Sequence, residues 1–276
     1  MGKHDLGSVA EEWFDRYLSE RGYSAAITGD PDQKNPDRLV TAPDGRQVVY
    51  EVKSFATLGI LKKARFGEGS GGIRVSQPMP RTQKEALQPI RDKIKEAAKQ
   101  LKRYKKDGLP LMMTLANPMN CPIPFEESSV IAAMYGDIDA VFEITGPGAE
   151  HEGAFWLQAG RNGKLTSDHH YISAIALLRE RPHSAAWAKA WFGENRPRFD
   201  QIQDMIAAYL EAAETQNVPQ GSEVFLSVIE TIGEEAVPLP RDLLDGPLDL
   251  RYGPTLDGAG FTLLSDGGQG LLTESG

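Results

Sequence analysis

Two short β-type runs on either side of Pro43-Asp44-Gly45 constrain this chain more than any other feature. Proline presets a turn dihedral, aspartate bonds its own backbone and glycine accepts positive φ, so PDG between apolar runs reads as a hairpin. Arg38 to Ala42 is the first arm. Gln47 to Phe55, QVVYEVKSF, is the second and is rich in β-branched and aromatic residues. Side chains alternate along a strand, so Val48, Tyr50 and Val52 share one face, and Val49, Glu51 and Lys53 share the other. A carboxylate and an ammonium thus stand side by side at the end of an otherwise apolar strand. The return of the hairpin lets Asp37, at the start of the first arm, lie near Glu51.

The flanking segments frame this unit. Val9, Ala10, Trp13, Phe14, Tyr17 and Leu18 fall at helical spacing and predict a helix over Ser8 to Glu20. Ser8 is its expected N-cap, with Glu11 three residues on in a capping-box pattern, and Gly22 its stop. Tyr23 to Thr28 reads as a strand and residues 29–36 as a polar turn region. Thr57 to Pro80 is expected to be irregular, with a glycine-rich run at Gly67 to Gly72. A long helix is predicted over Thr82 to Lys106, with an apolar stripe of Ile90, Ile94, Ala97, Leu101 and Tyr104. Leu109 to Ala116 reads as a buried strand.

Beyond Asn117 the expected elements are a short helix over Glu126 to Tyr135 and strands over Ala140 to Ile144, Ala154 to Gln158 and Val224 to Ile232. Ser184 to Phe192 and Phe199 to Ala213 read as amphipathic helices. Tyr171 to Leu178, apolar on both faces, fits a strand or a buried helix. From Gly253 to Gly276, 7 of 24 residues are glycine, which predicts a loosely attached tail.

Composition excludes several classes. One cysteine, Cys121, rules out a disulfide scaffold and a zinc site built on CxxC pairs. No apolar run approaches the roughly 18 residues that a membrane span requires, and the N-terminus has no apolar signal core. The expectation is a soluble, cytoplasmic protein. The net charge of -9 argues against a polyanion partner, but its distribution argues for one. Residues 53–106 carry 15 Lys/Arg against 4 Asp/Glu, whereas the rest of the chain is strongly acidic. Such a block is either a solvated lysine-rich helix or a surface facing nucleic acid.

Two carboxylates brought together repel unless a cation sits between them. Their hard oxygens suit Mg²⁺, with Mn²⁺ as a substitute. The chemistry that uses Asp37, Glu51 and Lys53 in this way is phosphodiester hydrolysis. Asp37, Glu51 and the Val52 carbonyl would hold the metal, and Lys53 would orient or help deprotonate the attacking water. Taken alone, E-x-K is better read as a strand ion pair worth at most about 1 kcal/mol. A preceding acid across a hairpin, a helix bearing Glu11 before it and a basic helix after it shift the balance.

The order GSVAEEWF, then Pro36-Asp37, thirteen residues, then Glu51-Val52-Lys53, resembles the PD-(D/E)XK nuclease superfamily. Gly7-Ser8 followed by Glu11, with Arg21-Gly22-Tyr23 closing the helix, is similar to archaeal Holliday-junction resolvases. Gln100-Leu101-Lys102-Arg103-Tyr104 matches the QhxxY motif of RecB-like nucleases. The resemblance covers about residues 7–116. It implies an α/β, restriction-endonuclease-like core with a mixed central sheet flanked by helices, over residues 1–120. A C-terminal α/β extension would occupy 121–252 and the glycine-rich tail 253–276. It implies Asp37, Glu51 and Lys53 as the catalytic and metal set, Glu11 as a helix carboxylate near the metal, and Gln100 and Tyr104 approaching from the second helix. RecB-like enzymes often carry histidine where this chain has Glu11, and some bind an iron-sulfur cluster, which one cysteine cannot hold.

The accessory residues have plainer readings as well: Glu11 as the capping partner of Ser8, Tyr104 as core, and the lysines as a solvated face. Lys62, Lys63, Arg65 and Arg74 flank the glycine-rich stretch. With Lys99, Lys102 and Arg103 they are the candidate DNA contacts. Adjacent His169 and His170 diverge on any regular element and are poor joint ligands. Cys121 has no identifiable base. The expected function is a Mg²⁺-dependent deoxyribonuclease acting on DNA, with a symmetric dimer favoured if both strands are cut. The rivals are a non-catalytic DNA- or protein-binding module on the same fold and a phosphoesterase acting on nucleotides.

Overall fold

The computed structural model describes residues 6–28, 38–55, 66–67, 75–76, 82–136, 138–142, 155–159, 163–165, 169–231, 233–255 and 261–265. Its first element, α1 (Leu6–Glu20), begins two residues before Ser8. Ser8 therefore lies inside the helix and not before it. The PDG hairpin is present. Gly45 sits at φ +89, where a side chain would be strained, and its N–H donates to the Ala42 carbonyl at 2.9 Å. β1 (Ser24–Ala26), β2 (Arg38–Thr41) and β3 (Gln47–Ser54) form an antiparallel meander.

Within Thr57 to Pro80, expected to be irregular, β4 (Phe66–Gly67) and β5 (Val75–Ser76) pair antiparallel. The long helix follows as α2 (Gln83–Leu101), with a 3-10 turn at Lys102–Tyr104 in place of its predicted last turn. Thr82 caps α2 in a reciprocal box: its hydroxyl accepts from the Glu85 N–H at 3.2 Å, and the Glu85 carboxylate accepts from the Thr82 N–H at 3.0 Å. Thr82→Ala should cost about 1 kcal/mol, read as a lower urea midpoint with unchanged slope.

β6 (Leu111–Ala116) is buried at all six positions and lies parallel to β3. Such continuous burial is what a strand covered on both faces requires. The chain then forms α3 (Glu127–Tyr135) and a separate antiparallel pair, β7 (Ile138–Phe142) with β8 (Phe155–Ala159). Tyr171 to Leu178 resolves in favour of strand: β9 (Ala174–Pro182) is parallel to β6. β10 (Ser222–Glu230), β11 (Leu250–Pro254) and β12 (Phe261–Ser265) complete an eight-stranded mixed sheet, ordered β1-β2-β3-β6-β9-β10-β11-β12. The protein is thus α/β. The glycine-rich tail was expected to be loosely attached, yet β12 pairs antiparallel with β11 at the sheet edge. Phe261, Leu263 and Leu264 give that strand its apolar side chains; residues 256–260 and 266–276 of the tail lie outside the described residues.

The two main helices cover opposite faces of the meander. Phe14 of α1 packs its ring 4.8 Å from that of Tyr50. Val49 and Phe55, on the other face of β3, join the core formed with Ile90, Ile94, Ala97 and Leu101 of α2. The segment before β11 is stitched to this unit by Arg251. That guanidinium donates to the carbonyls of Leu239, Pro240, Arg241 and Leu243 at 2.8–3.2 Å and to Glu230 at 2.7 Å. Asp249 accepts from the N–H groups of Leu226 and Gly246 and from the Tyr17 hydroxyl. Burial pushes Asp249 above its usual range, and those donors together with Arg21 only partly offset it.

The chain divides into two units, residues 1–178 with 226–276, and residues 179–225. The second contains α4 (His183–Asn195) and α5 (Ile202–Thr215), the two expected amphipathic helices. Trp191, Phe192 and Tyr209 pack together there, with the Phe192 and Tyr209 rings 4.7 Å apart. Among the described residues no helix is long and apolar enough to cross a membrane.

Candidate active site

β3 positions Glu51 and Lys53 on the face toward α2. Both face inward because β3 is paired on both edges and its side chains alternate between two covered faces. Glu51 is fully buried, level with Met113 of β6. Lys53 reaches back along the strand, and its Nζ lies 2.6 Å from Glu51 Oε1. A second carboxylate meets the same ammonium from α2: Glu96 Oε1 lies 3.2 Å from Lys53 Nζ. Glu96 is in turn 3.3 Å from Lys93, one turn earlier on the helix. A buried carboxylate, a half-buried lysine and a solvent-facing carboxylate thus form a short chain of charges running from the core to the surface.

Burial alone would lower the Lys53 ammonium, but the bond and charge of Glu51, aided by Glu96, hold it above the usual 10.5. Burial would raise Glu96, yet Lys53 and then Lys93 hold it below its usual 4.5. A carboxylate lowered on folding contributes stability that is present above its ordinary value and lost as the pH falls below it. Acidifying from pH 6 to pH 3.5 should therefore cost the native protein more of its urea midpoint than it costs Glu96→Gln. Equal losses would place no folding linkage on Glu96.

The other expected site residues divide. Asp37, Lys62, Lys63, Arg65 and Arg74 lie outside the described residues. The antiparallel register of β2 and β3 is described as far as Arg38 opposite Tyr50. Val52 belongs to the strand edge that faces β2: Val49 and Phe55 direct their N–H groups to β6, and bonding sides alternate. Glu11 is half-buried on α1, the helix on the face of β3 opposite Glu51 and Lys53. Gln100 lies one turn beyond Glu96 on α2, and its buried Oε1 accepts no hydrogen bond from a described residue. The Tyr104 hydroxyl lies 3.3 Å from Thr28 Oγ1, and its ring packs on the main core, as the plainer reading had it. Ala26, Leu39 and Val49 align across β1, β2 and β3. Thr28 and Glu51, each two residues further on, therefore fall at the same end of the meander, where Tyr104 arrives.

Lys99, Lys102 and Arg103 are exposed at the C-terminal end of α2 and in its 3-10 turn. Not all of the basic block is surface. Arg91 is 1% exposed, whereas Lys105 stays at the surface in an ion pair with Glu235 at 2.7 Å. Sequence reasoning missed Glu96. The available signal was its position four residues before Gln100, on the same helix face. His169 contacts the Tyr171 hydroxyl at 3.2 Å, and burial raises the Cys121 thiol above 9.0, so neither gains a catalytic setting.

Among the described residues no group of three or more His, Cys, Asp or Glu side chains is gathered to hold a metal. The donors present, the Glu51 carboxylate and the Val52 carbonyl, are hard oxygens of the kind Mg²⁺ prefers. No family model, no curated protein and no solved structure matches the chain.

Proposed function

We propose that the chain is a metal-dependent DNA nuclease with a restriction-endonuclease-like core. The observation that carries this reading is the fully buried Glu51 carboxylate held 2.6 Å from Lys53 in Glu51-Val52-Lys53. Its setting supports it: a helix, an antiparallel meander, a second helix and a parallel strand follow one another in chain order. In this reading Asp37, Glu51 and the Val52 carbonyl hold Mg²⁺, and Mn²⁺ substitutes. Glu11, half-buried on α1, is the further carboxylate that this reading offers to a metal-bound water. The ion, when bound, lowers the pKa of a water and offsets phosphate charge. Lys53, held as an ammonium, orients the attacking water and offsets charge on the pentavalent transition state; it does not take up the proton. Gln100 offers its free carboxamide oxygen to a water beside Glu96. Lys99, Lys102 and Arg103 contact the DNA backbone.

The test is cleavage of supercoiled plasmid and linear duplex by the purified chain. Cutting is expected with Mg²⁺, none with EDTA, and none by Asp37→Ala. RNA and nucleoside triphosphates in the same panel separate a phosphoesterase of other specificity. DNA retained but never cut would replace the nuclease with a binding module.

A further inference from the structure

We propose that Glu96 is a positioning residue for Lys53, the anchor that keeps the ammonium aimed while Glu51 is otherwise engaged. The inference rests on the nuclease reading above and gives Glu96 no contact with DNA or ion. Lysine carries its charge on a flexible four-carbon stem, so its direction must be imposed by partners. Among the described residues two carboxylates meet Lys53 Nζ: Glu51 of its own strand at 2.6 Å and Glu96 of α2 at 3.2 Å. Across the sheet, its β6 neighbour is Leu115, which offers no charge. In the nuclease reading Glu51 also has an ion to hold, so its grip on Lys53 is shared at the moment Lys53 is needed. Glu96 has no such second duty. It belongs to a different element, its side chain is 53% exposed, and it is itself steadied by Lys93 at 3.3 Å. A carboxylate so exposed has no need of a lysine for its solvation; the contact constrains Lys53.

Two measurements test this on the full chain. In single-turnover cleavage, Glu96→Ala should slow cutting by about tenfold, a loss typical of removing a group that orients a site residue. DNA affinity and the Mg²⁺ concentration for half-maximal rate should not change. Glu96→Gln keeps an oxygen that accepts from Lys53 and should recover most of the rate, with Glu96→Asp between the two. The second measurement needs no cutting. In EDTA, Glu96→Ala should lower the urea midpoint of the Glu51→Gln protein, where Lys53 has Glu96 as its carboxylate. It should leave the midpoint of Glu51→Gln/Lys53→Met unmoved. A wild type that cuts, with Glu96→Ala cutting equally fast, overturns the positioning role alone. Equal midpoint losses in both backgrounds overturn it too, by making Glu96 a support of the helix and not of Lys53. A wild type that cuts no DNA overturns the nuclease reading and the positioning role with it.

Discussion

Lys53→Ala is expected to lose cutting and, in EDTA, roughly 3 kcal/mol of folding stability as well. The first loss follows from removing the group that orients the water and offsets transition-state charge, on the order of 10²-fold or more. The second follows from burial. Glu51 is fully buried with Lys53 at 2.6 Å, and removing one partner of a buried ion pair strands the other charge in the interior. Glu51→Gln should behave differently. It removes the charge that needed compensation and leaves Lys53 on Glu96, so it should abolish cutting at a smaller cost in stability. The Glu51→Gln/Lys53→Ala double variant should be more stable than Lys53→Ala alone, a reversal that independent sites would not give. Urea unfolding of the four proteins measures all of this. If Lys53→Ala unfolds at the wild-type midpoint, Glu51 does not depend on its lysine and the site loses its central feature. Added Mg²⁺ gives a further reading that involves no DNA. An ion held by Glu51 should stabilise Lys53→Ala by about 1.4 kcal/mol at ten times its Kd. It should do little for Glu51→Gln.

How much of this was legible in the sequence depends on how far apart the contacting residues stand. The meander was readable because a turn signal and period-two alternation are local, and they place Glu51 beside Lys53 without knowledge of any other element. The Val49 and Tyr50 faces followed from the same alternation and match the helices that cover them. Glu96 was not legible. Its approach depends on the rotation of α2 about its axis against β3, which packing sets and neither segment encodes alone. Arg91 misled for a related reason. A count of charges treats it as surface, but Leu87, Ile94 and Ala98 on the same side of α2 carry it into the interior. Ser8 misled because apolar helical spacing does not fix the first residue of a helix, and this one extends back to Leu6. The tail misled over Phe261–Ser265, where a count of glycines across 24 residues hid five residues of ordinary strand composition.

The largest effect on stability outside the site is expected from Arg251→Ala, at about 3–5 kcal/mol. Arg251 is 3% exposed, and its guanidinium donates to four backbone carbonyls between Leu239 and Leu243 as well as to Glu230. Truncation leaves the carboxylate and the carbonyls that are buried without the donor they face, and an unsatisfied buried acceptor costs about 1–3 kcal/mol. Lysine cannot substitute, since one ammonium with three hydrogens cannot serve five acceptors, four on residues 239–243 and one on Glu230 of β10. Arg251→Lys should therefore keep most of the loss. The damage should begin locally. Residues 239–249 are held by Arg251 from one side and by Asp249, through Tyr17, Leu226 and Gly246, from the other. Removing the arginine leaves the Asp249 clasp intact, so amide exchange should rise first at Leu239 to Leu243 and only later at Gly246 to Asp249. Uniform loss of protection across the sheet would mean that the arginine supports the whole unit and not this segment. A stability change under 1 kcal/mol would mean that the segment finds other donors, and that the guanidinium is a consequence of the fold and not one of its fasteners.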